Sequence, residues 1–129
     1  MVNAKLKGYK AEEITFVNKR TNVKQTMEIQ TKYSYGVKYT NVGTCRSDMT
    51  VEVQDKTEPE NFYIKVVMTG AFEINDAPKE VLHKETFNAL FPYVRSLITT
   101  ITANAGIMPI IIPIMDIENQ SIYKIEKNQ

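Results

Sequence analysis

Every second residue from Met27 to Tyr39 is of one kind. Odd positions carry Met27, Ile29, Thr31, Tyr33, Tyr35, Val37 and Tyr39, while even positions carry Glu28, Gln30, Lys32, Ser34, Gly36, Lys38 and Thr40. A period of two with one apolar and one wet face is what a half-buried antiparallel strand requires. At about 3.4 Å per residue such a run would extend roughly 44 Å, so a bend or bulge is expected near Gly36.

The same period continues downstream. Asn41-Val42-Gly43 supplies a turn, and Met49, Val51 and Val53 mark the next strand. "DKTEPEN" makes another turn, and Phe62, Ile64, Val66 and Met68 begin a strand that continues past Gly70 into Phe72 and Ile74. An earlier strand is expected around Ile14 to Phe16. Four strands with short polar turns predict an antiparallel meander. The period then changes. Asp76-Ala77-Pro78 reads as a helix start with Asp76 at the cap, and Leu90, Val94, Leu97, Ile98, Ile101 and Ala105 recur at spacings of three and four. Pro92 should start or kink this helix, and Gly106 should stop it. A short last helix is expected after Asp116, using Ile117, Ile122 and Ile125. Strands followed by helices predict an α+β fold, a four-stranded antiparallel sheet packed by a long helix and a shorter C-terminal one. The 129 residues are expected to form one domain, 1–129.

Charge narrows the function classes. A net charge of +1, with lysines scattered near the start, argues against nucleic acid as a partner. A single cysteine, Cys45, allows no internal disulfide and fits a reducing compartment. The lysine-rich opening lacks a signal-peptide pattern, and no segment is expected to insert in a membrane. The expected location is the cytoplasm.

Catalytic chemistry has little to build on. His83 and Cys45 stand alone on different expected elements, and the plain reading is a surface histidine and an inert thiol. One His and one Cys do not make a zinc site. Glu12 and Glu13 would lie on opposite faces of an extended strand, so they are not read as a dyad. No glycine loop suits a phosphate. No enzyme activity, metal or cofactor is expected.

The unexplained feature is "GIMPIIIPIMDI", residues 106–117. Pro109 and Pro113 keep it from becoming a regular helix, and it is too short to span a bilayer. Either it closes the core or a subunit contact, or part of it stays accessible to apolar partners.

"NALFPYVRSLIT", Asn88 to Thr99, resembles the helix signature of the SecB family of protein-export chaperones, at Asn88, Leu90, Phe91, Pro92, Tyr93, Arg95, Ile98 and Thr99. Gly106-x-x-Pro109 is similar to that family's break into a proline-bearing crossover loop. "GAFEI" at Gly70 to Ile74 and "EITF" at Glu13 to Phe16 are similar to its sheet-to-helix passage and first strand.

The resemblance implies an ATP-independent holdase, assembled as a dimer of dimers, that binds unfolded polypeptide clients in a hydrophobic groove. The groove would be lined by Met27, Ile29, Tyr33 and Tyr35 from the second strand. The loop would add Ile107, Met108, Ile110, Ile111, Ile112, Ile114 and Met115, and the last helix Ile122 and Tyr123. The signature residues Asn88, Leu90, Phe91, Pro92, Tyr93 and Arg95 would serve the fold or subunit contacts. Flexible Met and branched Ile suit clients of many shapes.

Charge departs from the family pattern. Lys65 stands where acidic members carry glutamate, and the tail "YKIEKNQ" lacks their acidic extension. Both count against docking of the export motor ATPase. Alternatives are a dedicated chaperone of a toxin–antitoxin pair, a homo-oligomeric scaffold with the Ile-rich loop buried between subunits, and a small-ligand binder using the same groove.

Overall fold

The alternating segments pair so that their apolar rows line up across one sheet. In the structure, a computed structural model in which residues 2–20 and 27–112 are described, the strands are β1 (Ala4–Asn18), β2 (Ile29–Asn41), β3 (Thr44–Asp55) and β4 (Phe62–Ile74). A 3-10 turn at Pro59–Asn61 precedes β4, and helix α1 (Lys79–Asn104) follows it. Tyr33 pairs with Val51 and Val51 with Val66, while Tyr35 pairs with Met49 and Met49 with Met68. The inner face is thereby a continuous apolar layer. The fold is α+β, as the order of periods predicts.

The strand order is β1-β4-β3-β2, all antiparallel. This corrects the simple meander: β2, β3 and β4 follow one another, but β1 lies beside β4 at the far edge. β1 is also far longer than the Ile14–Phe16 core that hydrophobicity marks, because its exposed positions read as polar. No bulge forms at Gly36, which pairs in register with Asp48. The β2 register shifts instead beside the hairpin, between Tyr39 and Asn41, where Gly43 takes a φ of 82°. A bulge between Ala11 and Glu13 alters another expectation. It turns both carboxylates to the outer face, where Glu12 accepts a hydrogen bond from Thr69 and Glu13 meets Lys65 at 3.8 Å.

Helix α1 covers the inner face with Leu82, Phe87, Leu90, Phe91, Val94 and Ile98. Leu90, Val94 and Ile98 belong to the stripe the sequence predicts, while Leu97 and Ile101 only border the core and Ala105 is exposed past the helix end. Leu82, Phe87 and Phe91 carry the stripe further toward the helix start. Gly70 permits the close approach. A Cβ there would stand 3.1 Å from Phe72 Cε1 and 3.2 Å from Leu90 Cδ1. Asp76 does not cap the helix; Pro78 holds that place, and its carbonyl receives the Val81 and Leu82 N–H groups. Glu85 ties the helix to the start of β1 by accepting the Asn3 N–H at 2.9 Å. Pro92 lies inside the helix rather than at its start, with its ring on the exposed side. The expected short helix after Asp116 falls outside the described residues.

Candidate functional site

Gly106, with a φ of 82°, reverses the chain at the end of α1. The following residues run back along the helix, because their partners fall in number as they rise. Ile107 N–H reaches the Thr102 carbonyl at 3.4 Å, and Ile110 meets Thr102 and Thr99. The Ile112 carbonyl accepts from Arg95 Nε at 2.8 Å. Ile110 is clamped at both ends: its N–H donates to Thr102 Oγ1 and its carbonyl accepts from Thr99 Oγ1, each at 2.8 Å.

This clamp fixes which side chains turn inward. Ile112 is fully buried, and Ile107 and Ile110 pack partly buried against the same core. Met108 and Ile111 are held outward, 85% and 64% exposed. On β2, Ile29 is 39% exposed, while Met27 and Tyr33 rest half-buried on the core. Tyr35 is 1% exposed. Its hydroxyl donates to Thr86 Oγ1, and its ring meets Phe87 and His83 edge-on. Tyr35 and Ile112 are therefore core residues that shape the surface without lining it. The Tyr33 hydroxyl is buried with no partner among the described residues, and burial pushes its pKa up. Ile114, Met115, Ile122 and Tyr123 lie outside the described residues.

The helix signature divides in the same way. Leu90 and Phe91 are core, and Phe91 stacks on Phe87 with ring centroids 5.2 Å apart. Tyr93 stacks on Tyr9 of β1 at 4.2 Å. Asn88, Pro92 and Arg95 line an open cleft of about 470 Å³ beside Phe91, Ser96 and Ile111. Sequence reading missed Thr99 and Thr102 as anchors of the loop. Their signal was the cluster of helix-averse β-branched residues in "LITTIT", whose hydroxyls have a task beyond the helix.

Other features carry less chemistry. A hollow of about 580 Å³ on the outer sheet face is bordered by Lys7, Lys10 and Arg46, each already paired with a carboxylate. Cys45 is buried against Ala4, Phe72 and Leu82, and burial raises its thiol pKa, the reverse of what a nucleophile needs. Among the described residues no cluster of three His, Cys, Asp or Glu could hold a metal ion, and no helix is long and apolar enough to cross a membrane.

Residues 6–129 match the family described as preprotein translocase subunit SecB. The chain belongs to the SecB family. Family membership supports a chaperone-like role for the chain. An uncharacterised protein of Methanocaldococcus jannaschii is 31% identical to this SecB-family chain over 118 residues, 84% of this chain and 76% of that protein. Among solved structures, it is similar to a SecB-like chaperone of Mycobacterium tuberculosis in complex with a ChAD peptide from the HigA1 antitoxin. The TM-score is 0.71 at 11% identity, covering 88% of this chain and 91% of that one. At that identity the likeness is one of fold.

Proposed function

We propose that this SecB-family chain is a holdase. It binds unfolded or aggregation-prone polypeptides without nucleotide, on an apolar surface that includes Ile29, Met108 and Ile111. The observation that carries this reading is the outward pose of Met108 and Ile111 on a segment pinned to the helix. Pinned in this pose, Met108 and Ile111 present a fixed apolar surface to a partner. Each large apolar client side chain buried contributes roughly 1.5–3 kcal/mol, so a few contacts acting together suffice for useful avidity. Met27 and Tyr33 border this surface, and Ile114, Met115, Ile122 and Tyr123 are proposed to extend it.

The working form is proposed to be a homo-oligomer, a dimer of dimers, in the cytoplasm. The exposed Ile14 and the half-exposed Tyr9–Tyr93 stack on the edge strand β1 are apolar surface suited to a second copy. A dedicated client is favoured over general export. On the outer sheet face Lys65 lies between Glu13, at 3.8 Å, and its strand neighbour Glu52, and this lysine offsets part of the acidity that a docking site for the export motor would use. The antitoxin peptide bound by the Mycobacterium tuberculosis protein supports the same narrower reading.

The test is light scattering from a chemically unfolded, aggregation-prone protein diluted into rising amounts of this chain without nucleotide. Suppression near stoichiometric ratios is the expected result. If a folded oligomer fails to suppress, and also fails to bind a neighbouring antitoxin in pull-down, a scaffold role replaces the holdase.

A further inference from the structure

On the outer sheet face one row of register partners runs Gly8, Ala71, Arg46 and Lys38 across β1, β4, β3 and β2. Gly8 and Ala71 lie in the hollow of about 580 Å³, and Lys7, Lys10 and Arg46 border it. A Cβ on Gly8 would meet nothing within 4 Å, so the hollow is open above that residue. Lys7 pairs with Glu73, Lys10 with Glu12 and Arg46 with Asp48, at 3.1 to 3.4 Å. All three pairs are largely exposed to solvent, so an incoming anion can share their cations at small cost. Lys5, in register with Glu73, and Lys38, in register with Arg46, are exposed on the same face. Neither forms an ion pair among the described residues. These two lysines leave this end of the face cationic. Toward the other end, Lys65 stands between Glu13 and Glu52, and Lys56 pairs with Glu28.

We propose that this hollow docks a short acidic segment of a partner protein, on the side of the sheet opposite the apolar client surface. The inference goes beyond the holdase reading and does not rest on it. The last described residue, Ile112, is buried with α1 on the inner face, so the two surfaces are separated by the sheet itself. From Gly8 to Lys38 the row crosses three strand spacings, about 14 Å, the length of roughly four extended residues. Carboxylates of a polypeptide fit this row better than phosphates do. The central strands β3 and β4 spend their N–H groups on ladders with both neighbours, so no nest of N–H donors is left to close on a phosphate. Glu12, Asp48 and Glu73 also stand between the cations, where they repel a backbone that carries charge on every unit. A peptide can place neutral residues opposite those carboxylates and acidic ones opposite Lys5, Lys38 and the rim.

The experiment is fluorescence anisotropy of the full chain with two fluorescein-labelled peptides, Gly-Ser-Asp-Glu-Asp-Glu-Ser-Gly and its counterpart with Asn for Asp and Gln for Glu. The acidic peptide is expected to bind about tenfold tighter at low salt, the scale of two partly exposed ion pairs, with the ratio shrinking at high salt. Lys5→Gln combined with Lys38→Gln should bring the ratio to near one. Lys19→Gln combined with Lys56→Gln removes the same charge near the other end of the sheet and should leave the ratio intact. Gly8 does not need a positive φ, so Gly8→Phe should fill the hollow without backbone strain and abolish the preference. The lysine pairs decide the matter even if that variant fails to fold. Saturating acidic peptide should leave suppression of aggregation unchanged. Equal binding of the two peptides, or of neither, by the unaltered chain overturns the proposal and leaves the holdase standing. Equal losses in the two lysine double variants mean attraction by net charge alone, and overturn it too. If the acidic peptide blocks client holding, it sits on the client surface and the proposal is wrong. If Gly8→Phe changes the oligomer mass but not the ratio, a second copy of the chain occupies the hollow instead.

Discussion

The Thr102 hydroxyl accepts the Ile110 N–H at 2.8 Å, across the reversal at Gly106. One helical turn earlier, Thr99 donates to the carbonyl of the same Ile110. Both backbone groups of Ile110, in a proline-bearing segment that is neither strand nor helix, are therefore satisfied by two threonine hydroxyls. That placement decides that Ile112 points inward while Ile111 and Met108 point outward.

Thr102→Val keeps the branched shape and removes the hydroxyl. The Ile110 N–H then loses its partner beneath a buried side chain, at a cost of about 1–3 kcal/mol. Urea denaturation should show that loss, and the Ile110 amide should exchange faster. Thr102→Ser keeps the oxygen and should protect the amide. Equal exchange in the valine and serine variants would remove the clamp.

Neighbouring isoleucines should respond in opposite ways. Ile112→Asp puts a carboxylate into the closed core, where Ile112 is fully buried, and should cost about 3 kcal/mol or more. Ile111→Asp changes an exposed residue and should alter stability by about 0.5 kcal/mol or less, yet weaken client holding. Circular dichroism melts and the light-scattering assay together separate the two. A large stability loss in Ile111→Asp would make the whole loop structural.

This contrast also shows what could be read in advance. Periodicity placed β2, β3, β4 and the α1 stripe, because burial on one face writes itself into alternate or every third and fourth residue. It did not place β1 beside β4, since strand order depends on contacts between distant segments that no local pattern encodes. Nor did it separate Ile111 from Ile112. Hydrophobicity marks both equally, and only the Arg95 and threonine hydrogen bonds distinguish them. The same gap explains Tyr35, whose alternation marks it as inward-facing but whose bond to Thr86 makes it core.

Tyr63 gives a pH-dependent signature on the outer face. Its hydroxyl donates to Glu52 Oε2 at 2.6 Å. Burial first, then the hydrogen bond to Glu52 and the charges of Glu52 and Glu13, push its pKa from 10.0 up to about 12. The folded state thus favours the protonated phenol. Its contribution to stability is complete below pH 10 and is lost as pH rises through about 12. Tyrosinate absorbance should show Tyr63 titrating well above the ordinary range, alongside the raised Tyr33, and Glu52→Gln should bring the Tyr63 step down. An unchanged titration in that variant would remove Glu52 as a cause.

Pro92 is the helix residue whose retention needs a reason. Inside α1 it withholds the N–H that the Asn88 carbonyl would accept, a defect worth about 3 kcal/mol in an ordinary helix interior. Its ring is exposed, so Pro92→Ala should lose little packing and raise stability by about 1–3 kcal/mol. If the Asn88 carbonyl serves a client backbone, the same change should also weaken client holding, because the N–H restored at position 92 would occupy that acceptor. Thermal melts and the light-scattering assay on one preparation read both effects. A more stable chain with unchanged client holding would mean that Pro92 shapes the helix surface alone, and that clients do not use the Asn88 carbonyl.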